Sequence, residues 1–117
     1  MNYRPIFFVL TALALAGCAS DPVPDAQLQL TVQAVSQAAS VGADSQLSEM
    51  QQAQAKLALA QKNMGEHDYK RARLLAEEAE LDARLAEAKV LVAKSQAQLE
   101  DLQSKIARLR KQLGAQP

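Results

Sequence analysis

The sequence predicts an all-α fold: an antiparallel helical hairpin or three-helix array with a long C-terminal coiled-coil helix, after a cleaved signal peptide. Three observations carry this expectation. Alanine (23) and leucine (17) dominate the 117 residues, β-branched residues are few and Trp is absent, a composition that favours helix over sheet. Apolar residues recur at alternating steps of three and four from Leu28 to Leu113, the spacing of a stripe on a helix. Gly and Pro, four of each, gather at a few places and punctuate the helices.

The N-terminal element stands apart from the fold. Arg4 is the only charge in the first twenty residues, and the run Ile6 to Ala16 is apolar apart from Thr11. Such a run is too short to cross a bilayer, which takes about 20 residues, and it fits the apolar region of a secretory signal. It ends in Leu15-Ala16-Gly17-Cys18, which resembles the lipobox of bacterial lipoproteins. Small residues before the cut fit a peptidase site, and the Cys supplies a soft thiol nucleophile. The resemblance implies cleavage between Gly17 and Cys18, a diacylglyceryl thioether on Cys18 and acylation of the new amino terminus. Residues 1–17 are then the signal peptide, 18–25 the acylated Cys and its tether, and 26–117 the helical domain. Two or three acyl chains anchor stably, at about 0.8 kcal/mol per buried CH₂. Ala19, rather than Asp, follows Cys18. By resemblance to the lipoprotein sorting rule, this implies the outer membrane, with the protein on its periplasmic face.

Pro22 and Pro24 favour an extended tether. The first helix is expected over about 25–41, with Leu28, Val32, Val35 and Ala39 as its apolar stripe. Gly42 is a C-terminal cap, and Asp44 and Ser45 are N-cap candidates for the next helix. The second helix is expected over about 46–64, with Met50, Ala53, Leu57, Ala60 and Met64 on one face. It ends at Gly65, placed as the C′ residue, and Asp68 caps the third.

The third helix, about 69–113, carries two opposed seams. One is almost wholly alanine: Ala72, Ala76, Ala79, Ala83, Ala86, Val90, Ala93 and Ala97. The other is Leu81, Leu85, Ala88, Val92, Ser95, Leu99, Leu102, Ile106, Leu109 and Leu113. Paired positions differ by two residues, or about 200° around the axis. The alanine seam lets the second helix approach closely. The first helix is expected to cover the Leu seam from Leu81 to Val92, or to stack end to end on the second. Leu99, Leu102, Ile106, Leu109 and Leu113 then suggest self-association through a coiled coil.

Charge patterning speaks for helix rather than for a site. Glu66–Lys70, Arg73–Glu77, Glu80–Arg84 and Asp101–Lys105 are i,i+4 pairs of a few tenths of a kcal/mol each, as an estimate. Thirteen basic residues balance thirteen acidic ones, so nucleic acid is not an expected partner. Lys105, Arg108, Arg110 and Lys111 cluster near the end of the chain, where the helix dipole favours cations. They are also the candidate contact for peptidoglycan or another anionic envelope polymer. One Cys and one His make no metal cage. His67 lies in a turn with no residue placed to orient it as a general base. Pairing it with Met50 or Met64 around a haem would take each Met from an apolar stripe. The acids Glu77, Glu78, Glu80 and Asp82 are a charged patch, not a spaced ligand set. No catalytic residue, metal or cofactor is expected beyond the lipid on Cys18.

Residues 57–79 resemble one tetratricopeptide-type unit, with Tyr69, Ala72, Ala76 and Ala79 in its second helix and Leu59-Ala60 in its first. This implies that Tyr69 sets the register of the hairpin at its turn. A single unit falls short of the three or so that such repeats need. On a wider scale, the stretches Ala53-Gln54-Ala55-Lys56-Leu57-Ala58-Leu59-Ala60, Asp68-Tyr69-Lys70-Arg71-Ala72-Arg73-Leu74-Leu75-Ala76-Glu77-Glu78-Ala79 and Asp82-Ala83-Arg84-Leu85-Ala86-Glu87-Ala88-Lys89 are similar to the proteobacterial family of domain of unknown function 4398, over roughly residues 25–95. That resemblance implies an envelope location and a helical fold, and it implies no reaction. Some members carry a peptidoglycan-binding domain after the helices; none is expected here. The abundant murein-type lipoprotein attaches to peptidoglycan through a C-terminal Lys. The sequence Gly114-Ala115-Gln116-Pro117 gives no such expectation.

The expected function is therefore structural: a lipid-anchored spacer or adaptor that meets an envelope protein or a second copy of itself.

Overall fold

A computed structural model describes residues 21–114 of the chain. Gly17, Cys18, the signal peptide and residues 115–117 lie outside the described residues. Three helices account for nearly all of the rest: α1 (Asp25–Ser40), α2 (Ser48–Gly65) and α3 (Tyr69–Gly114). No strand occurs among the described residues. The 46 residues of α3 make a rod about 69 Å long.

Backbone chemistry sets where the helices stop. At the end of α1 the amides of Gly42 and Ala43 donate to the carbonyls of Ala39 and Ala38 at 3.0 and 2.9 Å. This is a Schellman motif, with Gly42 as the left-handed residue at φ 101°. The end of α2 repeats the motif two residues later than expected. The amides of His67 and Asp68 donate to the carbonyls of Met64 and Asn63 at 3.1 and 2.9 Å. The left-handed residue is His67, at φ 61°, and Gly65 is the last residue of the helix. Gly65 is thus not the C′ residue. A non-glycine there costs about 1 kcal/mol or more, and the reversal is placed by where α3 must land on α2.

Asp68 caps α3 as the sequence predicts, its Oδ1 accepting from the Arg71 amide at 3.1 Å. Asp44 caps no helix. Its Oδ1 accepts from the Gln46 amide at 2.9 Å, and its carbonyl accepts from the Leu47 amide at 3.1 Å. Residues 44–47 are thereby held in a turn, and α2 begins at Ser48 rather than Gln46.

Both shorter helices lie side by side on one face of α3. Glu49 meets Lys89 and Lys56 meets Asp82, so α2 runs antiparallel to α3. Thr31 meets Ala76, Gln37 meets Glu87, and Val41 meets Lys94, so α1 runs parallel to it. The buried face of α3 is Ala72, Ala76, Ala79, Ala83 and Ala86, all without solvent exposure. Facing them are Ala34 and Ala38 from α1 and Met50, Ala53 and Ala60 from α2, with Ala43 from the turn. Apart from Met50, and Pro24 at the start of α1, every buried apolar residue among the described ones is alanine.

Two expectations for α1 are corrected. It covers neither the Leu seam nor the end of α2; it shares the alanine seam with α2. Its buried stripe is Thr31, Ala34 and Ala38, not Leu28, Val32, Val35 and Ala39. Of those four only Val35 packs against the core cluster; Val32 and Ala39 are exposed, and Leu28 and Val32 border a shallow hollow on the outer side of α1. The reason is size, since Ala34 and Ala38 let the axes come close where Val32 and Leu28 would hold them apart. The Thr31 hydroxyl shows how close, lying 2.9 Å from the backbone carbonyl of Ala76 and from that of Gln27. The alanine seam is covered only as far as Val90, which is half-buried; Ala93 and Ala97 are exposed.

Candidate functional site

The inner face of α3 is a closed structural seam edged by polar rails. On the α2 side, Lys56 Nζ lies 2.7 Å from Asp82 Oδ2 and 3.3 Å from Glu78 Oε2, and Lys89 pairs with Glu49. On the α1 side, Gln27 donates to Glu80 at 2.7 Å and Gln37 to Glu87 at 2.8 Å. Lys94 donates to the Val41 carbonyl at 2.7 Å, closing the end of α1 where the helix dipole is negative.

These contacts shift three titrations. The Lys89 ammonium holds the Glu49 carboxyl below the usual carboxylate range. Arg84, and then Gln27, do the same for Glu80. Asp82, and then Glu78, hold the Lys56 ammonium above the usual lysine range. Such pairs are partly solvated, and each contributes modestly. Their value is register, because each joins one turn of α3 to one turn of a neighbour.

Of the expected i,i+4 pairs, Glu80–Arg84 and Asp101–Lys105 form, both at 2.6 Å. Glu66 pairs with Lys62 at 3.8 Å instead of Lys70, because the turn at 66–68 separates Glu66 from α3. Among the described residues Arg73 and Glu77 form no ion pair.

At the α2–α3 turn, Ala72, Ala76 and Ala79 are buried in the seam, while Tyr69 is half-buried. Tyr69 Oη and His67 Nδ1 share a 2.8 Å hydrogen bond, and their rings meet edge to face with centroids 5.8 Å apart. Tyr69 thus steadies the strained residue of the turn. No group of three or more metal-ligating side chains occurs among the described residues. Met50 lies in the core cluster, away from His67 at the opposite end of α2.

The outer face of α3 is a different surface. Leu81, Leu85, Val92, Leu99, Leu102, Ile106, Leu109 and Leu113 are all exposed, from 48% at Leu85 to 73% at Leu113. All described residues from Leu91 to Gly114 are exposed, so α3 projects beyond its own bundle as a single bare helix. Monomeric soluble proteins seldom expose a contiguous apolar strip of this length.

The four basic candidates lie along the last turns but not on one face. At about 100° per residue, Lys105 and Arg110 flank the Leu strip on either side, and Arg108 and Lys111 point to the back. Lys105 is paired with Asp101. Arg108, Arg110 and Lys111 have no carboxylate partner among the described residues.

Sequence periodicity did not single out Thr31, Asn63 or the polar rails. Asn63 is buried, with its amide donating to the Leu59 carbonyl at 2.7 Å. The signal for the rails is the set of charges one step either side of the alanine seam, at 78, 80, 82, 87 and 89, which i,i+4 counting assigns to the helix alone.

Among the described residues no helix is long and apolar enough to cross a membrane. Curated proteins offer no match to this chain. A family model described as "Domain of unknown function (DUF4398)" matches residues 26–102. The chain is also similar to a DUF4398-family protein from Pseudomonas aeruginosa PAO1 known from a crystal structure. The two share 56% identity and a TM-score of 0.78, over 80% of this chain and 97% of that one. With its three helices on the pattern of that solved relative and the match spanning most of its length, the chain belongs to the DUF4398 family.

Proposed function

We propose that this protein is a lipid-anchored structural or adaptor protein on the periplasmic face of the outer membrane, and that the Leu face of α3 is its docking surface. The single observation that carries the docking role is the exposed Leu81–Leu113 strip, whose 4-3 spacing is that of a coiled-coil seam and which the chain's own helices leave bare. The anchor rests on Leu15-Ala16-Gly17-Cys18, with diacylglyceryl thioether chemistry on Cys18. No catalysis, metal or cofactor is part of the proposal. The rigid alanine-seamed bundle holds the tether end, and the bare arm of α3 reaches away from it.

Site-specific photo-cross-linking in living cells tests the docking role. Probes at Leu99, Leu102 and Leu109 are expected to capture envelope protein, and probes at Glu100 and Lys111, on other faces of the same turns, are not. Equal capture at both sets of positions would refute a docking face. The anchor is tested by intact mass. The membrane-extracted protein is expected to begin at an acylated Cys18, and Cys18→Ser is expected to release it from the membrane fraction.

A second reading is non-covalent binding of peptidoglycan or another anionic polymer by Lys105, Arg108, Arg110 and Lys111. It is favoured by the exposed cations that lack a carboxylate partner among the described residues. Co-sedimentation with purified sacculi, with and without charge reversal at Arg108, Arg110 and Lys111, separates it from the docking role.

A further inference from the structure

We infer that the Leu face of α3 is covered by the Leu face of a second copy of this chain, and that the two rods run antiparallel. The inference rests on the docking reading above and names its occupant.

The alternation of steps assigns core positions of a heptad. Leu85, Val92, Leu99, Ile106 and Leu113 fall at a, and Leu81, Ala88, Ser95, Leu102 and Leu109 at d. A parallel pair in register stacks like on like. Ala88 then faces Ala88 and Ser95 faces Ser95, which leaves two adjoining layers with little to fill them. The flanking positions are worse matched. Arg84 of one copy faces Lys89 of the other, and Lys105 faces Arg110, so each pair of copies meets four like-charged contacts and no opposite-charged one.

The antiparallel arrangement removes both faults with one register. Layers then join residues whose numbers sum to 194: Leu81 with Leu113, Leu85 with Leu109, Ala88 with Ile106, Val92 with Leu102, and Ser95 with Leu99. Each small residue meets a large one, and all ten seam positions are used. At the flanks, Asp82 lies at the level of Arg110, Lys89 at Gln103, Gln96 at Gln96 and Gln98 at Gln98, with no like-charged pair.

The tertiary structure supplies what this register needs. The arm from Leu91 to Gly114 is bare, and it seats on the Leu81–Val92 segment of the other copy. That segment is open because α1 and α2 both lie on the opposite face. The contact is two-fold symmetric, so it closes at two copies. The α1 entrances then lie at opposite ends of the pair. With both chains anchored at Cys18 in one bilayer, the pair lies along the membrane rather than standing on it.

Cross-linking of the full-length protein tests the register. Leu81→Cys and Leu113→Cys both alter exposed residues, so neither disturbs the bundle. Like positions are separated by about 48 Å in the antiparallel pair, at 1.5 Å per residue. A short bismaleimide is expected to join chains only when the two variants are mixed. Chains carrying Leu81→Cys alone or Leu113→Cys alone are expected to give no more dimer than the unaltered chain, which controls for Cys18. Dimer from Leu113→Cys alone would overturn the inference in favour of a parallel pair. No dimer in any sample, with a monomer mass by sedimentation in detergent, would overturn self-pairing. The docking reading would then survive only where the photo-probes capture a different protein.

Discussion

Replacing Ala86 with Leu adds apolar volume and is expected to destabilise the protein more than replacing its neighbour Leu85 with Ala, which removes it. The two residues are adjacent in sequence and lie on opposed seams. Ala86 has no exposed surface and belongs to the cluster of Ala34, Ala38, Ala43, Met50, Ala53 and Ala83. Its Cβ sits where α1 and α2 both close on α3, and Glu49 pairs with Lys89 within a turn of it. Three further carbons have nowhere to go unless the helices separate. Overpacking of this kind costs about 1–3 kcal/mol.

Leu85 is 48% exposed. Full burial of a leucine is worth about 1.5–3 kcal/mol, so the half-buried side chain, less the Cβ that alanine retains, contributes roughly 0.5–1 kcal/mol. Alanine's slightly better helix propensity offsets a little of that loss. At roughly 4–8 °C per kcal/mol for a domain of this size, Ala86→Leu lowers Tm by roughly 4–24 °C, and Leu85→Ala by only roughly 2–8 °C. Thermal and urea unfolding followed by circular dichroism at 222 nm measures both. Any part of the Leu85→Ala effect that grows with protein concentration belongs to contact between chains. A Tm for Ala86→Leu equal to or above that of the parent, or below which Leu85→Ala falls, would refute the closed-seam account.

The turns allow sharper contrasts. Gly65 lies in the last turn of α2, and an added Cβ would meet nothing within 4 Å, so Gly65→Ala is expected to stabilise by about 0.5–1 kcal/mol. Gly42→Ala is expected to destabilise by about 1 kcal/mol, because at φ 101° the cost is conformational rather than one of space; calorimetry on the two variants gives both signs. Asp68→Ala removes the acceptor for the Arg71 amide and is expected to cost about 0.5–2 kcal/mol, measured by urea titration. The pH dependence follows from the rails. Glu49 and Glu80 have depressed pKa values in the fold. Their stabilising effect is therefore present above the ordinary carboxylate value of 4.5 and is lost as pH falls through the lower folded values. Lys56 is raised, so its contribution is present below 10.5 and is lost as pH rises past the folded value. A stability profile flat from neutrality down to strong acid would remove the carboxylate rails, and Glu80→Gln is expected to flatten part of the acid limb.

The sequence by itself determined that the chain is helical, that α3 is long, and that it carries two opposed seams. These follow from properties local to a few residues. Helix periodicity puts Ala72 to Ala86 on one face and Leu81 to Leu113 on the other. Gly42 can take the left-handed conformation cheaply, and the Asp68 carboxylate sits where a helix start leaves amides unpaired. Only the tertiary structure decided where α1 goes. Its larger apolar residues, Leu28 and Val32, make the more visible stripe, but contact with an alanine seam rewards closeness over bulk. Ala34 and Ala38 therefore face inward. The Thr31 hydroxyl finds the Ala76 carbonyl at 2.9 Å only in that arrangement. The same demand moved the α2 reversal from Gly65 to His67. A local strain of about 1 kcal/mol is smaller than the loss of a seam in which Ala53 and Ala60 must meet α3 in register. With both short helices on the alanine side, the Leu face of α3 is left bare from Leu81 to Leu113. No count along the chain decides that, because it depends on which of two opposed faces the rest of the molecule chose to cover.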